Sequence, residues 1–206
     1  RAMIEVSLRS KSFSIANRAV ELATFLHQGV SLYQDDGITA DQVLRRQKKV
    51  CESENRSLPL TLKDVRVEVY TDGEDSICCN DIVTVKVQAK LPMKAETRRQ
   101  HVRTLLRFNT MDDARPFVEK ERFLVLVGKA ADDELLCSAL LREDKDGVSC
   151  KMQCRAPRQP CKDWNLRIVL KSTTYVVPDV ACTKVSAVLP LEDDDEENDS
   201  TKNEDG

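Results

Sequence analysis

The sequence predicts an α+β fold, in which a short helical segment is followed by a seven-stranded β-sandwich and an acidic tail. Three observations lead to this prediction. Apolar residues recur at helical spacing in the first part of the chain and at every second position beyond Leu60. Turn signals separate the alternating runs, and dense acidic charge begins at Glu192. We therefore expect a helical segment over residues 1–57, a sandwich over 58–191 and a disordered tail over 192–206.

The helical segment is predicted to contain three helices. A short helix covers Met3 to Leu8, and the next one carries a buried apolar stripe. That stripe consists of Ala16, Ala19, Val20, Ala23, Leu26 and Val30. The sequence Thr39-Ala-Asp-Gln42 has the spacing of a capping box and predicts a third helix over residues 40–53.

Seven runs alternate apolar and polar residues and are predicted to be strands. They lie at residues 65–69, 83–91, 123–127, 135–141, 148–154, 164–170 and 182–189. Short turns such as Asp72-Gly73 and Asp146-Gly147 separate them. Short strands of this kind are typical of a fibronectin type III or immunoglobulin-like sandwich. The alternation predicts one buried and one solvated face for each sheet.

The most basic stretch lies between the second and third strands, over residues 92–116. Its candidate contacts are Lys94, Arg98, Arg99, Arg103 and Arg107. Such charges could bind phosphate, acidic lipid headgroups or an acidic partner. Alternatively, the stretch is a variable surface loop or short helix, which a sandwich tolerates because longer loops cost little free energy. The second interpretation is the commoner one for a segment of this kind.

The eight cysteines are expected to be free thiols in a reducing compartment. No Cys-x-x-Cys motif occurs, and both histidines lie far from the cysteines in sequence, so no metal site is predicted. Cys150, Met152 and Cys154 alternate along one strand and are expected to face inward.

We find no catalytic constellation in the sequence. The six glycines form no phosphate-binding loop, and no Gly-x-Ser-x-Gly motif is present. His27 and His101 have no motif neighbours, and the pairs Asp112-Asp113 and Asp132-Asp133 are typical of turns. We therefore expect a protein that is not an enzyme, with no catalytic residues and no cofactor.

The tail is the strongest charge feature of the chain. Residues 192–206 hold nine acidic residues and one lysine, a net charge of −8, whereas the preceding 191 residues carry +5. A segment this acidic is expected to stay solvated and to be available to a basic partner. The predicted partner-binding residues are Glu192, Asp193, Asp194, Asp195, Glu196 and Glu197.

Several short segments resemble the C-terminal half of the Sec-sixty-three family. Near the N-terminus, Ala2-Met3-Ile4-Glu5 and Glu21-Leu22 with Gln28 are similar to the last helices of its helical bundle. In the predicted sandwich, the similar positions are Ile77, Asp81–Val85, Arg115–Val118, Lys120-Glu121, Phe123–Gly128, Ala156-Pro157, Leu166, Ile168, Leu170, Ser172, Tyr175 and Asp179. Phe123-Leu124 stand where the family has paired tryptophans, and the connection from the second helix to the sandwich is much shorter, which indicates a divergent member with an abridged bundle.

The resemblance implies one of two protein classes. One is the J-domain subunit of the endoplasmic reticulum translocon, in which this domain faces the cytosol, docks on the channel and ends in an acidic tail. The other is a class of large superfamily 2 RNA helicases, in which the domain is appended to the motor and contacts the RNA strand. The tail favours the translocon subunit, since a helicase accessory domain has no need of it.

We therefore expect a domain that serves post-translational protein import on the cytosolic side of an endoplasmic reticulum membrane protein. Its expected partners are the channel subunit and a basic membrane subunit bound by the tail, with no nucleic acid. A lumenal Hsp70 would bind only through a J domain, whose His-Pro-Asp motif is absent from this sequence. One alternative is the helicase accessory domain, in which Lys94–Arg107 would contact the RNA strand. The other is an adaptor for an unrelated partner.

Overall fold

The computed structural model describes residues 2–28, 40–53, 62–91, 95–105, 109–113, 122–144, 147–174 and 176–191. The helices are α1 (Ala2–Arg9), α2 (Phe13–Gln28), α3 (Ala40–Ser53) and α4 (Ala95–Leu105). The strands are β1 (Lys63–Thr71), β2 (Ile82–Lys90), β3 (Phe123–Lys129), β4 (Leu135–Leu140), β5 (Arg142–Asp144), β6 (Gly147–Arg155), β7 (Cys161–Ser172) and β8 (Val180–Val188). Each of the seven predicted runs lies on one of these strands, and β5 is an eighth strand that the sequence did not predict.

The strands form two antiparallel sheets of four strands each. Sheet I has the strand order β1-β2-β6-β5, and sheet II has the order β4-β3-β7-β8. The described part of the chain is therefore mostly β, with a few short helices. The predicted boundary at residues 57 and 58 lies outside the described residues.

The two sheets pack against each other across one apolar core, to which alternate residues of each strand contribute. Its fully buried members include Val83, Val85, Val87, Val125, Val127, Leu166 and Ile168. Cys150, Met152 and Cys154 of β6 also face this core, as the sequence predicted. Burial of such side chains contributes about 1.5–3 kcal/mol each to folding.

The outer face of sheet II is covered by α1 and α2 over β3 and part of β7, so the predicted solvated face is wrong for that part of the sheet. Phe13, Ala16 and Val20 of α2 are buried against Leu124 and Leu126 of β3. Strand β3 is therefore buried on both faces. The sequence of β3 is apolar throughout, which is typical of a strand with two buried faces. The other strands alternate apolar and polar residues, and that alternation does not apply to β3.

The prediction that Leu26 belongs to the buried stripe of the helix is also wrong. Leu26 is 63% exposed, whereas its neighbour Phe25 is fully buried. Phe25 packs with Val43 of α3 and with Val176, so it is the residue that fills the contact between α2 and α3. Val30 lies outside the described residues.

Polar contacts hold the start of α2 on the turn between β3 and β4. The Asp133 carboxylate accepts hydrogen bonds from the Ser12 hydroxyl, the Ser14 hydroxyl and the Ser14 backbone N–H, the last two at 2.7 Å. These hydrogen bonds lower the pKa of Asp133, with Ser12 contributing most. Gly128 lies directly under Phe13, because a Cβ there would be 2.5 Å from the ring carbon Cδ2. The helices therefore have a defined position on sheet II.

Two further contacts hold α4 and the segment before β8 on the sheets. Val102 of α4 is fully buried in the core between the sheets. Lys171 of β7 is 6% exposed and forms an ion pair with Asp179 at 2.5 Å, which fastens the segment before β8 to the sheet. No helix in the described residues is long and apolar enough to cross a membrane.

The chain leaves the sheets at a fixed point after β8. The Leu189 N–H donates a hydrogen bond to the Ile77 carbonyl at 2.8 Å, and the Leu189 carbonyl accepts one from the Cys79 N–H at 2.9 Å. The last residues before the tail are thus held beside the start of β2. The tail itself lies outside the described residues, so its disorder stays a prediction.

Candidate interaction surface

The predicted site residues fall in two groups. The tail residues Glu192 to Glu197 lie outside the described part of the chain, as do Lys94 and Arg107 of the basic stretch. Arg98, Arg99 and Arg103 lie on α4, so this part of the stretch is a helix. Of the two forms that the sequence left open, a loop and a short helix, the helix is the one present over residues 95–105.

The arginines that can be placed on α4 do not form a free cationic cluster. Arg99 and Arg103 are both partly buried, and each already contacts another group of the protein. Val102 between them is buried in the core, so this face of α4 is turned toward the sheets. The geometry therefore favours a largely structural role for this helix.

A different cationic surface is formed by the outer face of sheet I. Strand alternation directs every second side chain of β1, β2, β5 and β6 away from the core. We call this surface the basic face, and its basic residues are Lys63, Arg66, Lys86, Lys90, Arg142, Lys151 and Arg155. Asp64 and Glu68 are acidic residues of the same face.

The strand register places like charges directly opposite each other on this face. Lys86 pairs with Lys151 of β6, and Lys90 pairs with Lys63 of β1. Like charges in directly opposite positions destabilise a sheet, by up to roughly 1 kcal/mol for each pair. A bound anion would relieve this repulsion.

Carboxylates compensate this charge only in part. Lys86 contacts Glu68 at 2.9 Å, and Lys90 contacts Asp64 at 3.1 Å. Arg66, Arg142 and Lys151 have no carboxylate within 4.0 Å in the described part of the chain. These three side chains are exposed, so their charges are available to a ligand.

A groove lies at one end of the basic face. It has a volume of about 230 Å³ and is lined by Asp64, Arg66, Gln88, Lys90, Ser149 and other residues of β1, β2 and β6. Gly147 borders it with φ +150, and a Cβ there would be 2.4 Å from the Ala89 carbonyl oxygen. Glycine is therefore required for the turn into β6 to approach β2 this closely. The groove offers hydrogen-bond donors and positive charge side by side.

The opposite end of sheet I carries negative charge. The turn after β1 contains Asp72, Glu74 and Asp75, all exposed. Thr71 pairs with Val83, so this turn lies near the start of β2, where Leu189 is also held. The tail therefore emerges at the acidic end of the sheet, and the basic residues extend away from that point.

Comparison with protein-family models and with curated proteins gives no match.

The thiols are the remaining chemically distinctive groups, and they lie between the sheets. The Cys137 thiol of β4 donates a hydrogen bond to the Cys154 sulfur of β6, which raises the pKa of Cys137 and lowers that of Cys154. Burial raises the pKa of Cys150 to about 11. The seven cysteines whose side chains the structure describes are free, and among the described residues no cluster of three or more His, Cys, Asp or Glu side chains could hold a metal.

The basic face was missed from the sequence because its charges are spread from Arg66 to Arg155. No local run in the sequence indicates the basic face, because its residues come together only through the pairing of the strands. One usable signal was present: the polar positions of the alternating runs at 83–91 and 148–154 are mostly lysine and glutamine.

Proposed function

We propose that this chain is a non-catalytic interaction domain of an endoplasmic reticulum protein-translocation subunit. In this proposal it docks on the translocon channel from the cytosolic side and recruits a basic partner subunit through its acidic tail. The observation that carries the proposal is the order of its parts: helices, a two-sheet body, and a terminal segment of −8. This order resembles that of the Sec-sixty-three family.

The positions of the similar segments support the same proposal. Asp81–Val85 leads into β2, Phe123–Gly128 forms nearly all of β3, and Leu166 to Leu170 lie in the centre of β7. We further propose a fibronectin type III or immunoglobulin-like sandwich. In immunoglobulin domains one sheet has the strand order ABED and the other contains C, F and G, and sheets I and II follow that pattern with one further edge strand.

The mechanism assigns different tasks to the body and to the tail. The two sheets and α2 share buried cores, so the body acts as a rigid strut against cytosolic loops of the channel. Docking shifts the channel toward its open form only to the extent that the open form binds more tightly. The tail recruits a basic partner by charge, which gives rapid and salt-sensitive association.

Neutralising the tail tests this proposal. We expect the full chain with Glu192–Glu197 changed to Gln and Asn to lose binding to a lysine-rich peptide, measured by fluorescence anisotropy at low salt. The melting temperature should stay nearly unchanged, because the tail follows the last residue that is held in a sheet. A matched control neutralises the acidic residues of the turn after β1, Asp72, Glu74 and Asp75. Undiminished binding by the tail variant would contradict the assignment.

A second candidate is an accessory domain of an RNA helicase, and the basic face favours it. Opposed lysines on a sheet could contact a phosphate backbone, and binding would then weaken steeply with salt. Aromatic residues make up 4% of the chain, which leaves few platforms for base stacking. Titration of the full chain with single-stranded RNA decides between the candidates, because the translocon proposal predicts no binding at 150 mM salt, on the order of physiological ionic strength.

A further inference from the structure

The basic face requires a counter-charge that the described residues do not supply. Arg66, Arg142 and Lys151 are exposed and have no carboxylate partner in the described part of the chain. Lys151 lies directly opposite Lys86. An acidic segment laid across these strands would relieve the repulsion between the two lysines and would bridge several cations at once.

The same chain contains a segment of opposite charge. Residues 192–206 carry −8. They follow Leu189, which is hydrogen-bonded to Ile77 and Cys79 beside the start of β2. Strand β2 runs from that point along the middle of the basic face, since it lies between β1 and β6 in sheet I.

The length of the segment is sufficient to cross the face. Fifteen residues in extended form span about 50 Å, whereas a strand of nine residues such as β2 spans about 30 Å. A short flexible tether also gives an effective concentration in the mM range. Weak charge contacts are therefore enough to keep a tethered segment bound for much of the time, whereas a free acidic partner would need a higher affinity.

We propose that the acidic tail docks intramolecularly on the basic face of sheet I, and that this contact competes with the tail's basic partner. The acidic turn at Asp72 to Asp75 repels the first tail residues from the exit end. The contacts therefore form further along the face, with Lys151, Arg66 and Arg142. The competition rests on the proposed function, but the docking does not.

Zero-length cross-linking of the whole chain tests the docking. A carbodiimide joins a carboxylate to an amine that touches it, and mass spectrometry locates the product. We expect tail cross-links to Lys86, Lys90 and Lys151 to exceed those to Lys162 and Lys184 by about tenfold, which corresponds to a preference of about 1.4 kcal/mol for the basic face. Lys162 and Lys184 are exposed residues of sheet II. Lys162 is a strict control, because it lies close to Val188 and hence to the start of the tail.

Three results separate the outcomes of this experiment. Cross-links spread evenly over all five lysines, or absent from the basic face, overturn the proposal. In an equal mixture of unlabelled and nitrogen-15-labelled chains, products that combine both isotopes would assign the face to the tail of a second copy and would also overturn it. Loss of the expected cross-links at 1 M salt supports the proposal, because screening at that ionic strength acts over roughly 3 Å.

A paired substitution tests the competition. We expect Arg66→Gln with Lys151→Gln to lower tail cross-linking to Lys86 to the control level and to raise the affinity for the lysine-rich peptide several-fold. Lys162→Gln with Lys184→Gln makes the same change in net charge and should do neither. If the tail variant loses peptide binding but the face variant gains none, the competition is wrong and the proposed function stands. If the tail variant keeps peptide binding, the proposed function fails, whatever the cross-links show.

Discussion

The two sheets face opposite environments although they share one core. On the outer face of sheet II, the apolar residues of β3 lie under α1 and α2, with Leu124 and Leu126 fully or almost fully buried. The outer face of sheet I carries lysines and arginines and has no described element packed on it. Both sheets therefore build the core, but sheet II also supports α1 and α2 on its outer face, whereas sheet I presents a charged outer surface. Substitutions at equivalent outward positions should therefore have opposite consequences in the two sheets.

The largest expected effect comes from an outward residue of sheet II. Leu126→Ala should destabilise the protein by about 3 kcal/mol, because it removes a fully buried side chain and leaves a cavity under α2. Gln153→Ala, at an exposed outward position of sheet I, should cost less than about 0.5 kcal/mol. Urea denaturation of the two variants measures both values. Equal costs would show that α2 does not cover sheet II in solution.

The fit between helix and sheet gives the next prediction. Gly128→Ala places a Cβ 2.5 Å from the Phe13 ring and 2.7 Å from the Glu134 carbonyl oxygen. We expect the free energy of unfolding to fall by about 2 kcal/mol, since neither neighbour can move without disturbing the start of α2. In a Phe13→Leu background the same change should cost less, and a double-mutant cycle measures the coupling. Full additivity would contradict this contact.

Sheet I should respond to a charge change with a gain in stability. Lys151→Glu places a carboxylate opposite Lys86 and should stabilise the protein by about 0.5 kcal/mol, as judged by the urea midpoint at low salt. The exposed Lys184→Glu, on β8 of sheet II, serves as the control. A loss of stability in Lys151→Glu would mean that the lysine pair is already compensated by another group.

The smallest effect concerns the polar cap on α2. Hydrogen bonds from Ser12 and Ser14 hold the pKa of Asp133 below its ordinary value, so its contribution is present above pH 4 or so and is lost as the pH falls through the folded-state pKa. Asp133→Asn should therefore lower the melting temperature slightly at pH 7, and the difference from the unmodified protein should shrink toward about pH 3. A difference that is constant with pH would show that the carboxylate charge plays no part.

Much of the fold was predictable because the spacing of apolar residues and the residues typical of turns are local features of the sequence. The helices at 40–53 and around Ala16 to Ala23 and all seven alternating runs were found in this way. The three-residue β5 was missed because it is too short to show a period. The buried outer face of sheet II was missed although Phe123–Val127 is apolar throughout, which is a signal for burial on both faces.

The candidate site was less predictable, for a physical reason. A basic run such as Arg98-Arg99 is visible in sequence, yet Arg99 and Arg103 are partly buried on the face of α4 that carries Val102, which lies in the core. The basic face depends on pairings between residues far apart, such as Lys86 with Lys151, and no local pattern encodes that register. The predictions for Glu192 to Glu197, Lys94 and Arg107 lie outside the described residues.

The attachment of Leu189 has a mechanical consequence. Its N–H and its carbonyl are both bonded to the segment that precedes β2, and the pairing is parallel. A pull on the C-terminal segment therefore loads these hydrogen bonds together, in shear, instead of peeling β8 from β7 one bond at a time. Tension applied by anything that holds the C-terminus is transmitted into the contact between the two sheets, and the edge strand is protected from unzipping.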